Sequence, residues 1–211
     1  MPNNKIFYKY RSLKDFKFFM DIILNNRLYA AKYNELNDIR EGRYTHNGIL
    51  KEITVNDIKN IKEDTRICSV TTNYKSQPMW AHYADNHTGV VIGFRIKDDN
   101  DRREKVKYTG IKKSVNNNLS DIQSLADDIL IHKEKDWKYE KEVRILKNTN
   151  ETKELVFIDI EIVKIIFGQR IAESDAEFLK KIIEKLNLKI EISNFKETKN
   201  KKPVLSNTSN I

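Results

Sequence analysis

Gly89-Val90-Val91-Ile92-Gly93-Phe94 is the stretch that decides the fold. Six residues without a charged or polar side chain form a strand covered on both faces, which belongs at the centre of a sheet. Its neighbours alternate instead. Arg66-Ile67-Cys68-Ser69-Val70-Thr71, Lys105-Val106-Lys107-Tyr108 and Glu140 to Leu146 each place apolar residues on one face and polar residues on the other. Ile6 to Tyr10, Arg27 to Ala31, Leu155 to Ile158, Val163 to Phe167 and Leu188 to Ile192 read as further strands.

Helices lie between them. Leu13, Phe16, Met20, Ile23 and Leu24 recur at helical spacing, so residues 13–26 are expected to be an amphipathic helix, with Ser12 as its N-cap. Ile122, Leu125, Ala126, Ile129 and Leu130 mark a second helix over 119–133. Weaker helical patterns cover 49–62 and the aromatic stretch 77–85, which Pro78 opens; Ser174 is expected to cap a helix running to about Leu186. Strands and helices mix without strict βαβ alternation, which predicts an α+β fold: a mixed, mostly antiparallel sheet with packed helices. Residues 1–196 are read as a single domain, and 197–211 as a mobile basic and polar tail.

The 211 residues suffice for one core, and 39% hydrophobic with 33% charged residues is a globular composition. No apolar run approaches the roughly 20 residues that span a bilayer, and the N-terminus lacks a secretory pattern, so a cytoplasmic protein with no membrane partner is expected. Cys68 is the only cysteine, which rules out an intrachain disulfide and a zinc site built on several thiolates. The net charge of +8 invites a nucleic-acid reading. Lys far outnumbers Arg, however, and this bias fits an AT-rich coding sequence as well as a polyanion-binding surface.

Four groups can carry chemistry. Pro78-Met79-Trp80-Ala81-His82-Tyr83-Ala84-Asp85-Asn86-His87-Thr88-Gly89 concentrates Trp, Tyr, Asp and two His in one short segment. It reads as an aromatic platform for a planar ligand with His82 as donor or base, or more plainly as a helical turn with Trp80 and Tyr83 in the core. His82 and His87 stand five apart, which does not align them on a helix for a metal, and no metal is expected. In Trp137-Lys138-Tyr139-Glu140-Lys141-Glu142-Val143-Arg144, strand alternation puts Glu140, Glu142 and Arg144 on one face. That face is either a carboxylate pair poised for catalysis or an exposed salt-bridged surface. Tyr8 and Tyr10 share one face of the first strand and Lys9 and Arg11 the other; Asn37, Asp38 and Glu41 occupy a turn.

Together these segments resemble a bacterial family known as domain of unknown function 2971. The resemblance rests on Tyr8 to Arg11, Leu36-Asn37-Asp38 with Glu41, Cys68-Ser69, Met79 to Asp85 with Gly89, and Trp137 to Arg144. Ile39 stands where that family often has proline. The order of strand end, helix, polar strand, aromatic segment and late glutamate strand is also similar to ADP-ribosyltransferases of toxins and phage-defence effectors. That similarity implies a split sheet around a cleft for NAD, used as substrate. It implies Tyr10 or Arg11 at the first-strand NAD position, Trp80, His82 and Tyr83 on the nicotinamide side, Glu142 as catalytic glutamate and Glu140 as the upstream carboxylate. The serine-threonine-serine motif of such enzymes is absent. The implied partners are a nucleic-acid or protein target and a defence-system partner protein. Two other readings stay open. One is a non-catalytic nucleotide or nucleic-acid sensor using the same aromatic cleft. The other is a Mg-dependent nuclease built on Asp38, Glu41, Glu140 and Glu142.

Overall fold

The structure, a computed structural model, describes residues 4–46, 52–98, 100–115, 121–149 and 155–196. The expected tail from Glu197, and the first residues of the helix expected at 119, lie outside the described residues.

The apolar run forms β5 (Val90–Ile96), and it does sit in the middle of the sheet. On one side β5 pairs with β1 (Phe7–Arg11), on the other with β9 (Val156–Phe167). Beyond β1 come β4 (Thr65–Thr71), β8 (Glu142–Asn148) and β6 (Arg102–Lys105). Beyond β9 lies β10 (Glu191–Asn194), in parallel, while β2 (Arg27–Ala30) pairs antiparallel with the first half of β9. The sheet is therefore mixed and mostly antiparallel, with helices packed on it. A separate parallel pair joins β3 (Tyr44–His46) to β7 (Lys112–Val115). Both strands are short and largely polar, so they carry no alternation for the sequence to reveal.

One sheet face packs Phe7, Cys68, Val70, Ile92, Phe94, Val143 and Ile145 against α1 (Phe16–Asn25) and α5 (Glu173–Lys185). The opposite face packs Tyr8, Tyr10, Val91 and Ile166 against Met79 and Trp80 of α3 (Gln77–Tyr83). Near the β4–β8 edge, α2 (Glu52–Asp64) and α4 (Ile122–Leu130) pack together over smaller clusters. Each fully buried Phe, Ile or Leu contributes on the order of 1.5–3 kcal/mol.

Several local expectations shift. Residues 155–158 and 163–167 are one 12-residue strand, because Asp159 and Glu161 continue the in-and-out alternation rather than turn the chain. The strand expected at 105–108 lies at Arg102–Lys105. The last strand begins at Glu191, not Leu188. Ser12 does not cap α1: its Oγ accepts the Lys14 amide in a tight turn and the helix starts at Phe16. The buried face of α1 is consequently Phe19, Ile22 and Ile23, and Leu24 faces outward. Ser174 lies inside α5, which begins after Ala172.

The sheet has one weak seam. β1 and β4 share the single register pair Tyr8↔Thr71 and then splay apart. The Lys9 ammonium crosses the gap to donate to the Ser69 carbonyl.

Candidate functional site

A cleft of about 440 Å³ opens at this seam. The size falls within the range of small-molecule and cofactor sites. Lys9, Tyr10 and Arg11 form one wall and Ser69 to Thr71 the facing one, with Phe18 and Phe19 of α1 nearby. Asn37 and Glu41, then Met79, His82 and Tyr83, then Lys133, Glu140 and Glu142 complete it. The sequence-distant groups around Tyr10, Asn37, His82 and Glu142 therefore meet at one place.

The carboxylate end is a buried charge network. Arg144, fully buried, donates from both terminal nitrogens to Glu41 (2.8 and 2.6 Å) and from Nε to Glu142 (2.9 Å). It also donates to the Leu130 carbonyl. Lys133 donates to Glu140 (2.7 Å) and Glu142 (3.2 Å), and its ammonium lies 4.8 Å above the Trp137 ring. Tyr83 donates its hydroxyl to Glu140 (2.6 Å) and accepts from Asn37 (2.6 Å). Tyr108 accepts the Glu142 amide (2.7 Å). Three carboxylates thus face two cations in direct contact, with the Lys9 ammonium also in electrostatic reach of Glu142 and Glu140.

Protonation follows from these contacts. Burial alone would raise the Glu142 carboxyl, but Arg144 and Lys133 overcome it and hold the pKa down at about 2. Burial likewise opposes charge on Lys133, yet Glu142 and Glu140 keep its ammonium above the ordinary value. For Glu41 burial wins and the carboxyl is raised despite Arg144. Burial and the bond to Glu140 push the Tyr83 phenol well above 10. Glu142 is accordingly an ionised carboxylate, suited to stabilising positive charge and unsuited to accepting a proton. Arg144 and Lys133 occupy three of its roughly four acceptor positions and the Ser69 side chain donates to it as well, so its acceptor positions are engaged within the protein.

The opposite end is cationic. Lys9 and Arg11 have no carboxylate within ion-pair distance among the described residues, although Glu142 and Glu140 act on Lys9 electrostatically, and Arg11 Nε has no hydrogen-bond partner among those residues. Burial pushes both below their ordinary pKa values. A desolvated guanidinium without a counter-charge, as at Arg11, is costly and points to an anion as the missing partner.

The expected site residues separate into three sets. Tyr10, Arg11, Asn37, Glu41, His82, Tyr83, Glu140 and Glu142 line the cleft. Arg144 lies behind, holding two of them. Trp80, Asp38 and Trp137 do not line it. Trp80 is completely buried, edge-on to Tyr10, stacked on His87 (5.4 Å) and donating to the Tyr74 carbonyl, so no ligand face is open on it. Asp38 accepts the Arg40 amide in a turn. Glu140 is not on the strand either: it ends a 3-10 helix, Lys135–Glu140, and left-handed Lys141 (φ 45°) separates it from β8. Same-face alternation therefore holds for Glu142 and Arg144 only, and Lys133 is what draws Glu140 to Glu142.

Part of the unusual composition after α3 is conformational. Asp85, Asn86 and His87 all have left-handed backbone (φ 48°, 52° and 72°), the region these residue types tolerate best after glycine. Gly89 follows because a Cβ there would stand 2.2 Å from the Arg11 carbonyl oxygen. Lys133 and Lys9 were not legible as site residues. Lys133 sits in His132-Lys133-Glu134-Lys135, a run that reads as solvated surface.

Residues 79–145 match the profile of a family described as protein of unknown function (DUF2971). The match covers about a third of the chain, from α3 into β8, and so includes His82, Tyr83, Lys133, Glu140, Glu142 and Arg144 but not β1. No curated protein and no solved structure matches the chain. Among the described residues, no helix is long and apolar enough to cross a membrane, and no group of three or more His, Cys, Asp or Glu is arranged to hold a metal.

Proposed function

We propose that the cleft binds a dinucleotide of the NAD type and transfers its ADP-ribosyl group to a macromolecular acceptor. One observation carries the reading: a single cleft has Arg11, whose Nε has no partner among the described residues, at one end and the carboxylates of Glu140 and Glu142 at the other, with Lys9 in electrostatic reach of both. A diphosphate suits the first end. The second suits a ribose that becomes cationic as nicotinamide leaves.

In such a reaction the bond between ribose C1 and the nicotinamide nitrogen breaks, nicotinamide leaves neutral, and an acceptor nucleophile bonds to C1 and gives up a proton. Glu142, ionised and rigidly held, stabilises the positive ribose electrostatically. Glu140, held by Tyr83 and Lys133, adds a second negative charge beside it. His82, exposed on the rim beside Tyr83 and Tyr139, offers a donor toward the leaving group. Tyr10 is a wall, since its hydroxyl donates to the Asn73 carbonyl.

The same network disfavours a Mg-dependent nuclease. Glu41, Glu140 and Glu142 do converge, but Lys133 and Arg144 sit among them and repel a divalent cation.

The test is calorimetric titration with NAD, followed by label transfer from NAD in cell extract. Saturable binding abolished by Arg11→Met, and transfer abolished by His82→Ala and Glu142→Gln in folded variants, is the expected result. Binding without NAD loss leaves the non-catalytic nucleotide sensor, and no binding at all overturns both readings.

A further inference from the structure

The 3-10 helix Lys135–Glu140 turns once every three residues, so side chains three apart stack in line. Lys135 and Lys138 fall on one such line, about 6 Å apart along the axis; Lys141 follows at the left-handed C-cap, and all three are exposed. Beside them runs a series of rings. Trp137 lies 6.2 Å from Tyr139, and Tyr139 lies 6.3 Å from His82 at the mouth of the cleft. Trp137 and Tyr139 are half-buried, each with surface left to present. The nearby carboxylates subtract little: Glu134 is paired to Arg40 (2.8 Å), Glu140 is buried in the network, and Asp136 alone stays exposed.

A cluster of cations beside a row of aromatic rings is the arrangement that holds a single nucleic-acid strand. Lysines track the phosphates and rings stack on bases, whatever the sequence. A double helix keeps its bases inside and offers nothing to Trp137 or Tyr139. An acidic peptide would use the lysines and leave the rings idle.

We propose that this edge binds single-stranded nucleic acid and leads it to the cleft, which makes the strand the acceptor of the transfer proposed above. The binding does not require NAD, so the two ideas fail separately. NAD turnover without strand binding would sink the present inference alone; strand binding without NAD turnover would sink the enzymatic reading alone.

The experiment uses the full chain and a fluorescein-labelled 12-nucleotide oligothymidylate, an abasic strand of equal length, a duplex of equal length and polyglutamate. Saturable binding is expected in the order oligothymidylate, abasic strand, polyglutamate. Tyr139→Ala is expected to weaken oligothymidylate on the order of tenfold or more and to leave the abasic strand nearly unchanged. Replacing Lys135, Lys138 and Lys141 by Gln should flatten the plot of log affinity against log salt by about 2, since each phosphate contact contributes roughly 0.7. The matching triple change of Lys180, Lys181 and Lys185, exposed on α5, changes net charge equally and should flatten it far less. Equal effects of the two triple variants, or polyglutamate and the abasic strand binding as tightly as oligothymidylate, would overturn the proposal. All the replaced lysines are solvent-facing, and thermal melts of each variant confirm folding.

Discussion

Replacing Arg144 by Met removes the centre of the buried charge network while keeping a long apolar side chain in its place. Glu41 and Glu142, 7% and 5% exposed, then lose their principal counter-charge, and Lys133 must serve three carboxylates at once. Breaking a buried ion pair by deleting one partner costs about 3–5 kcal/mol. In a chain of 211 residues each kcal/mol moves the melting temperature by about 2–4 °C, so a fall of roughly 6–20 °C at pH 7 is expected. The pH dependence identifies the cause. In the wild type Glu142 has its pKa depressed from an ordinary 4.5 to about 2. Its contribution is complete above pH 4.5 and is lost as pH falls toward 2. Without Arg144 burial dominates instead, the Glu142 pKa rises above 4.5, and protonation relieves the variant as pH falls through that raised value. The gap in melting temperature between the two proteins should therefore narrow from pH 7 to pH 4, measured by circular dichroism. A variant melting within 2 °C of wild type at pH 7, or a gap constant across that range, would refute the argument.

Arg11→Met is expected to do the opposite for stability. It removes a desolvated cation without a carboxylate partner, so the melting temperature should stay level or rise by the equivalent of up to about 1 kcal/mol while NAD affinity is lost in titration calorimetry. Trp80→Ala should cost about 3–5 kcal/mol by chemical denaturation, whereas Trp80→Phe, less destabilising, should retain ligand affinity because the indole meets only protein. Gly89→Ala must displace backbone at Arg11 and Ala84, with an expected loss of about 1–3 kcal/mol and weakened nucleotide binding in the same preparation. Tyr83→Phe leaves a buried Glu140 oxygen without its donor, and urea unfolding should register a loss of about 1–3 kcal/mol.

The sheet and its helices were legible because burial writes itself into local pattern. Gly89 to Phe94 is apolar throughout since both faces of β5 are covered there, and Ala126, Ile129 and Leu130 recur at helical spacing since one face of α4 is. The pairing of Glu142 with Arg144 on one strand face was legible for the same reason. Two aspects of the site were not. Trp80 read equally as a ligand platform and as core, and three-dimensional packing decided for core by closing Tyr10, His87 and Phe195 around it. Lys133 looked like surface, yet the turn after α4 brings its ammonium between Glu140 and Glu142 at the bottom of the network.

By itself, then, the chain determined the elements, the central strand and the neighbourhood of the site, all of which follow from contacts within a few residues of one another. The tertiary structure alone decided which charges are paired. A pairing of Glu41 with Arg144 spans 103 residues, and the short β1–β4 pairing leaves Arg11 without a carboxylate across the seam among the described residues. No local period records either fact, because the free energy of a buried charge depends on what the whole fold places beside it.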